Sequence, residues 1–189
     1  MGAEPAPALG EYHFFWTPSY LERAHGSAYG IFMVWSHTKR PGVNHTEAWG
    51  TIEHSDGTIE QMADIVPELA YDPVNRRFRG GRVHCTMHDG STRTLEVQVV
   101  SETGFHLGTG LYFGFDGHHH GEWRGALHVD GERIDDCSTA ENARRVHQIR
   151  DTVVRITDPV GGGAGWGNWQ PIITGEHPEL GLTSETSFM

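Results

Sequence analysis

Four titratable side chains lie close together in the stretch between Gly114 and Gly125. They are Asp116, His118, His120 and Glu122. A carboxylic acid among aromatic rings keeps its proton to higher pH, and an imidazole titrates near neutrality without help. These groups therefore have the chemistry to protonate or deprotonate a bound substrate. A polar loop at a barrel mouth, in which the imidazoles only make hydrogen bonds, accounts for the same residues without any reaction.

The same segment offers a metal site as an alternative. If it enters a strand, His118, His120 and Glu122 project to one face with a period of two, and present two nitrogens and a carboxylate. Glycines on both sides favour a turn instead, and the rest of the chain supplies no obvious further ligand. We therefore expect no bound metal.

Aromatic residues give a second clue, because the chain has 6 tryptophans and two of them, Trp49 and Trp166, adjoin glycine. Small neighbours leave room, so a barrel lined with aromatic rings can enclose an apolar ligand. The residues expected in the wall of such a pocket are Trp35, Trp49, Tyr112, Phe113 and Trp123. The alternative is that the rings simply fill the core.

Strands must position these residues, and three Asp-Gly pairs indicate tight hairpin turns between them. The predicted hairpins join 45–54 to 58–65, 83–88 to 94–99, and 122–129 to 132–136. Further strands are expected at 29–35, buried on both faces, and at 111–115, 152–157 and 169–174. About nine or ten strands with short connections predict an all-β, antiparallel barrel.

One helix is indicated, and the rest of the chain reads as a single domain. Ser138 and Glu141 form a capping box for a short helix over about residues 139–150. We expect one barrel domain over 11–182, a disordered tail over 1–10 and a second tail over 183–189. The glycine-rich run 161–167 is expected to be a connection or bulged hairpin and not a phosphate-binding loop.

Composition excludes several classes of partner. The net charge of -11 repels nucleic acids and anionic lipids, and no run of eighteen apolar residues predicts a membrane helix. The N-terminus lacks the basic start and apolar run of a signal peptide, so a cytoplasmic location is the default. Cys85 and Cys137 have no nearby second thiol and are expected to be buried free thiols.

Five runs of the chain carry a family resemblance. They are GTGLYFG (108–114), HGEWRGALHVDGER (120–133), RRVHQIRD (144–151), GWG (165–167) and TGEHPELGL (174–182). In that order they resemble the C-terminal half of lipocalin-like proteins of the carotenoid-hydratase (hydroxyneurosporene synthase) superfamily, especially its uncharacterised actinobacterial-type branch. The resemblance covers about residues 75–182.

The resemblance implies a lipocalin-like barrel that binds a terpenoid, steroid or polyketide. Its relatives include hydratases and cyclases that need no organic cofactor. The leading hypothesis is therefore a barrel that binds such a ligand and converts it by proton transfer, as an isomerase, lyase, hydratase or cyclase. Two-barrel relatives are longer, so a site between two domains would be missing here or be assembled by a homodimer. A non-catalytic carrier of a hydrophobic metabolite and a metalloprotein using the histidine cluster are the alternative functions.

Overall fold

The computed structural model describes residues 10–101, 105–106, 122–127, 133–136, 139, 142 and 150–187. These residues form nine strands. They are β1 (Glu11–Arg23), β2 (Ala28–Arg40), β3 (Val43–His54), β4 (Ile59–Tyr71), β5 (Phe78–Met87), β6 (Thr92–Val99), β7 (Phe105–His106), β8 (Arg150–Asp158) and β9 (Gly163–Thr174).

Eight of the strands close into a barrel. The hydrogen-bonded order is β6-β5-β4-β3-β2-β1-β9-β8, and β6 also pairs with β8, which joins the two ends of the sheet. Every pairing is antiparallel. The two-residue β7 pairs with the start of β8 and takes no part in the closure. The all-β, antiparallel barrel is confirmed, with eight strands around it where nine or ten were predicted.

Two of the three predicted Asp-Gly hairpins are present. Strands β3 and β4 join at Asp56-Gly57, where the Gly57 N–H donates to the His54 carbonyl at 2.9 Å and φ of Gly57 is 86°. Strands β5 and β6 join at Asp89-Gly90 with Val83 opposite Leu95. Only glycine takes such positive φ values without strain, so these turns are encoded locally.

The third hairpin was wrong over its described residues, because 122–127 and 133–136 contain no strand. Gly125 has a φ of 121°, which interrupts an extended backbone, and Trp123 and Leu127 are exposed. Alternation of polar and apolar residues therefore failed here, because residues 122–127 are all exposed and have no buried face to match the pattern.

The remaining predicted elements have mixed outcomes. The segment 29–35 lies in β2 but is not buried on both faces, because Phe32 and Val34 point outward and are only half-buried. The segments 152–157 and 169–174 lie in β8 and β9, and the glycine-rich run begins in the turn between these strands and continues into β9. The strand predicted at 111–115 lies outside the described residues.

Most of the helix predicted over 139–150 also lies outside the described residues, together with Ser138 and Glu141. Thr139 Oγ1 accepts a hydrogen bond from the Asn142 backbone N–H at 3.3 Å, which is the geometry of a helix N-cap. Arg150 already belongs to strand β8.

A stack of four aromatic rings fills the middle of the barrel. Trp35 stacks on Phe15 at 5.9 Å, Phe15 on Trp169 at 5.1 Å, and Trp169 on Phe78 at 5.8 Å between ring centroids. Phe15 and Trp169 are 0% exposed. In the described part of the barrel Trp35 and Trp169 therefore pack in the core, which is one of the two alternatives that the sequence left open.

An ion-pair network lies at the end of the barrel that carries the β3–β4 and β5–β6 turns, which we call the hairpin end. Arg93 bonds Asp158 at 3.0 Å and both oxygens of Glu60 at 3.0 and 2.9 Å. Tyr29 donates its hydroxyl hydrogen to the same Asp158 oxygen at 3.0 Å, and His54 contacts Glu60. Asp158 is fully buried, and the hydrogen bonds and the positive charge of these partners offset the cost of removing its carboxylate from water.

The C-terminal segment 175–187 packs across the opposite, open end. Buried Arg76 ties it down by donating to the Gly175 carbonyl at 2.5 Å, the Thr183 carbonyl at 2.6 Å and Thr186 Oγ1 at 3.0 Å. Ser187 is buried and its hydroxyl accepts the Gly175 N–H at 2.9 Å. The packed structure therefore extends five residues past the boundary expected at residue 182.

Cys85 is a buried free thiol, as expected, and burial raises its pKa to about 12. Cys137 lies outside the described residues. Within the described ranges, no helix is both long enough and apolar enough to cross a membrane.

Candidate functional site

The barrel wall opens between β3 and β4. These strands pair at only three positions, Thr51, Ile52 and Glu53 opposite residues 59–61, whereas β2 and β3 pair at twelve. Beyond this short ladder, the first half of β3 stays with β2 and the rest of β4 stays with β5. A cleft separates the two strands beyond Gly50 and Met62, toward the end of the barrel that the C-terminal segment covers.

Two local features make the strands diverge. Strand β4 has a register shift between Met62 and Asp64, which is a β-bulge, and bulges bend the strand that carries them. Asp64 Oδ1 accepts the Ile65 N–H at 2.9 Å within this bulge. On β3, a Cβ at Gly50 would lie 2.5 Å from Met62 Sδ and 3.1 Å from Ile65 Cδ1. Glycine therefore lets these two side chains pack where the split begins.

The cleft has a volume of about 340 Å³. Its wall combines apolar side chains with a few polar ones. The lining residues are His13, Trp35, His37, Thr46, Asp64, Ile65, Val66, Pro67, Leu69, Glu179 and Leu180. This mixture, together with a volume inside the usual range of about 300–1,000 Å³, is typical of small-molecule sites.

His13 lines the cleft and belongs to a buried pair of polar groups whose other member, Tyr71, does not line it. His13 Nε2 lies 2.8 Å from the Tyr71 hydroxyl, and both residues are less than 10% exposed. Burial lowers the pKa of His13 to about 3, with smaller contributions from His177 and His37. Burial also raises the pKa of Tyr71 far above its usual range. The pair is therefore a hydrogen bond between two uncharged groups at neutral pH, and its direction depends on the imidazole tautomer.

Trp35 connects the cleft to the ring stack in the core. Its indole meets the His13 ring edge-on at 5.1 Å and stacks on Phe15 at 5.9 Å. Because both neighbours are buried, the indole is held in place, which makes it a rigid wall for a bound molecule.

The C-terminal segment forms the outer border. Its short 3-10 turn, Pro178–Leu180, supplies Glu179 and Leu180 to the lining. The preceding His177 is buried, donates from Nε2 to the Thr174 carbonyl at 2.9 Å, and has Nδ1 3.3 Å from Glu179 Oε1. The same segment that covers the barrel end therefore also shapes the cleft.

The residues predicted for the pocket wall have different fates. Trp35 lines the cleft, whereas Trp49 lies on the outside of the barrel, 55% exposed and edge-on to Phe32 at 5.2 Å. Trp123 is 78% exposed, so it forms no part of a buried wall. Tyr112 and Phe113 lie outside the described residues.

Of the predicted acid/base residues, the structure describes Glu122 alone, and its side chain is exposed. Asp116, His118 and His120 lie outside the described residues. Within the described part of the chain, no group of three or more His, Cys, Asp or Glu side chains is placed to hold a metal ion.

Sequence reasoning missed His13, Tyr71 and Asp64. For His13 a signal existed, because it precedes Phe15 and Thr17 at a period of two and so belongs to the inward face of β1. Tyr71 had the same kind of signal, because it follows Leu69 at a period of two on the inward face of β4. For Asp64 the sequence offers nothing comparable, since its position depends on where β4 leaves β3.

Comparisons with known proteins add one solved structure and one family. No curated protein matches this chain. A crystal structure of a protein provisionally assigned as AttH from Nitrosomonas europaea is 12% identical, with a TM-score of 0.33. The alignment covers 94% of this chain, which spans 59% of that protein's length. Residues 1–183 match the model of the family of unknown function DUF8625, and the chain therefore belongs to that family.

Proposed function

We propose that this protein binds a hydrophobic small molecule in the cleft between β3 and β4 and carries it without chemical conversion. The observation that carries the proposal is the cleft itself, a recess of about 340 Å³ with Trp35 as its rigid wall and the uncharged His13–Tyr71 pair beside it.

Apolar contact supplies the binding energy in this proposal. Ile65, Leu69 and Leu180 line the cleft with Trp35, and transfer of an apolar ligand surface onto them releases about 25 cal/mol for each Å² removed from water. The polar groups then fix the orientation of the ligand. A lipocalin-like carrier of a terpenoid, steroid or polyketide fits this description.

The chemistry of the His13–Tyr71 pair favours a protein that carries its ligand over an enzyme that converts it. An efficient general acid or base has a pKa near the working pH. The pKa of His13 is about 3 and that of Tyr71 is raised far above its usual range, so neither group exchanges protons readily near neutrality. His13, the member of the pair that lines the cleft, is suited to hydrogen-bond a ligand carbonyl or hydroxyl.

Catalysis by Asp116, His118, His120 and Glu122 stays a prediction from the sequence. It would belong to the isomerase, lyase, hydratase or cyclase chemistry of the carotenoid-hydratase resemblance. Recovery of an identified ligand unchanged after prolonged incubation with the protein would favour the carrier, whereas a product would favour catalysis.

The binding site is tested with an uncharged apolar fluorophore, N-phenyl-1-naphthylamine, and two matched variants. Val66 lines the cleft, whereas Val74, on the β4–β5 loop, is not among its lining residues, and both are at least half exposed. We expect Val66→Asp to weaken probe binding about fivefold or more, because it places a carboxylate on an apolar wall. Val74→Asp should leave binding unchanged. Equal binding by both variants and the unmodified protein would show that the probe binds elsewhere.

A further inference from the structure

We propose that the ligand of this cleft carries a neutral carbonyl group whose oxygen accepts a hydrogen bond from the Nδ1–H of His13. This inference rests on the proposed function and deepens it, because it names the chemical class that the same cleft selects. Two observations carry it. The Tyr71 hydroxyl has His13 Nε2 as its one partner among the described residues, and His13 lines the cleft although it is only 6% exposed.

The surroundings of Tyr71 decide which nitrogen of His13 carries the proton. His13 Nε2 and the Tyr71 hydroxyl oxygen are 2.8 Å apart. If Nε2 carried the proton, the hydroxyl oxygen would accept that bond and the hydroxyl hydrogen would have no acceptor among the described residues. A buried donor without an acceptor costs free energy, and the reverse arrangement avoids that cost. Tyr71 therefore donates to Nε2, and the proton of the neutral imidazole lies on Nδ1.

Nδ1 is reachable from the cleft. Nε2 faces Tyr71, which does not line the cleft, whereas His13 itself does. No described residue bonds to Nδ1, and Nδ1 is not among the unpartnered polar atoms that the described structure seals from solvent, such as Trp169 Nε1. Nδ1 therefore keeps some accessible surface, and the surface of His13 belongs to the wall of the cleft. A bound ligand covers this nitrogen and must replace the water that it bonds.

Burial keeps this donor uncharged. It lowers the pKa of His13 to about 3, so the imidazole has a single N–H near neutrality. A neutral carbonyl oxygen satisfies that N–H without bringing a charge into the cleft. A ligand carboxylate would lose its hydration without gaining a cation in return, and the net charge of -11 would repel it.

The other polar side chains of the wall do not offer an equivalent donor. The carboxylates of Asp64 and Glu179 only accept hydrogen bonds when they are ionised. His37 donates from Nε2 to Asn44 Oδ1 at 2.8 Å, which leaves its Nδ1 as an acceptor while the ring is neutral. Thr46 is exposed, so water satisfies its hydroxyl. A ketone on an apolar body is therefore the ligand that His13 selects.

The first test compares three ligands that share one apolar body. They are 2-acetylnaphthalene, which has a carbonyl oxygen, 2-isopropenylnaphthalene, in which a methylene group replaces that oxygen, and 1-(2-naphthyl)ethanol, which both donates and accepts. Their affinities are measured by calorimetry at neutral pH. We expect the ketone to bind about fivefold more tightly than the alkene, because only the ketone satisfies the Nδ1–H. It should bind at least as tightly as the alcohol.

The second test observes the proton directly in the unmodified protein. Long-range 1H–15N spectra of histidine-labelled protein distinguish a protonated ring nitrogen from an unprotonated one. Nuclear Overhauser contacts to the Trp35 ring, whose centroid is 5.1 Å from that of His13, identify the His13 signals. We expect Nδ1 to be protonated and Nε2 to be unprotonated at neutral pH, and the opposite pattern would overturn the inference.

Variants locate the preference for the ketone. The double variant His13→Phe, Tyr71→Phe keeps two rings and leaves neither polar group without its partner, and it should bind ketone and alkene equally. His25→Phe removes an exposed imidazole from the β1–β2 turn, which does not line the cleft, and should keep the preference. Thermal unfolding verifies that each variant is folded. The ligand series and the spectra on the unmodified protein do not depend on either variant.

The outcomes separate this inference from the proposed function. If ketone and alkene bind equally to the unmodified protein, and Val66→Asp weakens both, the cleft binds apolar ligands and the carbonyl inference is overturned. Tighter binding of the alcohol than of the ketone would also overturn it, because Nδ1 would then be an acceptor. A ketone preference that survives in the folded double variant would place the donor elsewhere. If none of the three ligands binds, the proposed function fails and the inference fails with it.

Discussion

The His13 imidazole and the Tyr71 hydroxyl lie 2.8 Å apart, although 58 residues separate them in the chain. The bond joins the start of β1 to the end of β4 at the open end of the barrel. Both groups are buried, so each supplies the hydrogen-bond partner that the other cannot obtain from water.

Tyr71→Phe removes one member of this pair without changing the shape of the ring. We expect the free energy of unfolding to fall by about 1–3 kcal/mol, because His13 Nε2 loses its partner while it stays buried. The double variant His13→Phe, Tyr71→Phe should recover part of this loss, since both polar groups are then gone. Urea unfolding of the four proteins gives the cycle, and a negligible loss in Tyr71→Phe would mean that the hydrogen bond does not stabilise the fold.

The pH dependence of stability follows from the same pair. The pKa of His13 is about 3 in the folded protein and 6.5 in the unfolded chain, so the unfolded chain binds more protons between these values. Stability is therefore complete above about pH 6.5 and falls as the pH drops toward 3, with a limiting slope of about 1.4 kcal/mol per pH unit from this group.

Carboxylates also titrate in this range, so the measurement is a difference between two proteins. The unfolding free energy is measured from pH 7 to pH 4 for the unmodified protein and for His13→Phe. We expect a shallower decline in the variant. Parallel curves would contradict the depressed pKa of His13.

The ion-pair network at the hairpin end gives a prediction that does not involve the cleft. Arg93→Met leaves Asp158 fully buried without its cation, and we expect a loss of about 3–5 kcal/mol in the free energy of unfolding. Arg82→Met is the matched control, because Arg82 is exposed and 4.0 Å from an exposed Glu68. Its effect should stay within about 0.5 kcal/mol. Similar losses in both variants would show that Arg93 does not compensate the buried carboxylate.

The parts of the fold that the sequence predicted are those with local signals. The turn at Gly57 needs a positive φ, and the alternation around Val83 and Leu95 reflects a sheet with one buried face. Neither signal depends on distant residues. The same logic failed at Trp123 and Leu127, where the pattern is present and the buried face is not.

The candidate site depends on contacts between distant segments, which explains why it was missed. Whether β3 stays paired with β4 is decided at Gly50 and the bulge before Asp64, and neither feature has an unambiguous sequence signature. Residues 183–189 were expected to be a frayed tail. Arg76 instead binds the C-terminal segment, although about a hundred residues separate the two in the chain. Trp35 was predicted for the pocket because it is aromatic, and the structure assigns it to both the core and the cleft.

The claim that the β3–β4 cleft is the ligand site is tested most directly by mapping backbone amide chemical shifts during titration with 2-(2-naphthyl)ethanol. We expect the shifted amides to cluster at Thr46, at residues 64–69 and at Leu180, with little change at the Asp89-Gly90 turn. Shifts concentrated at the hairpin end, or spread evenly over the barrel, would contradict it.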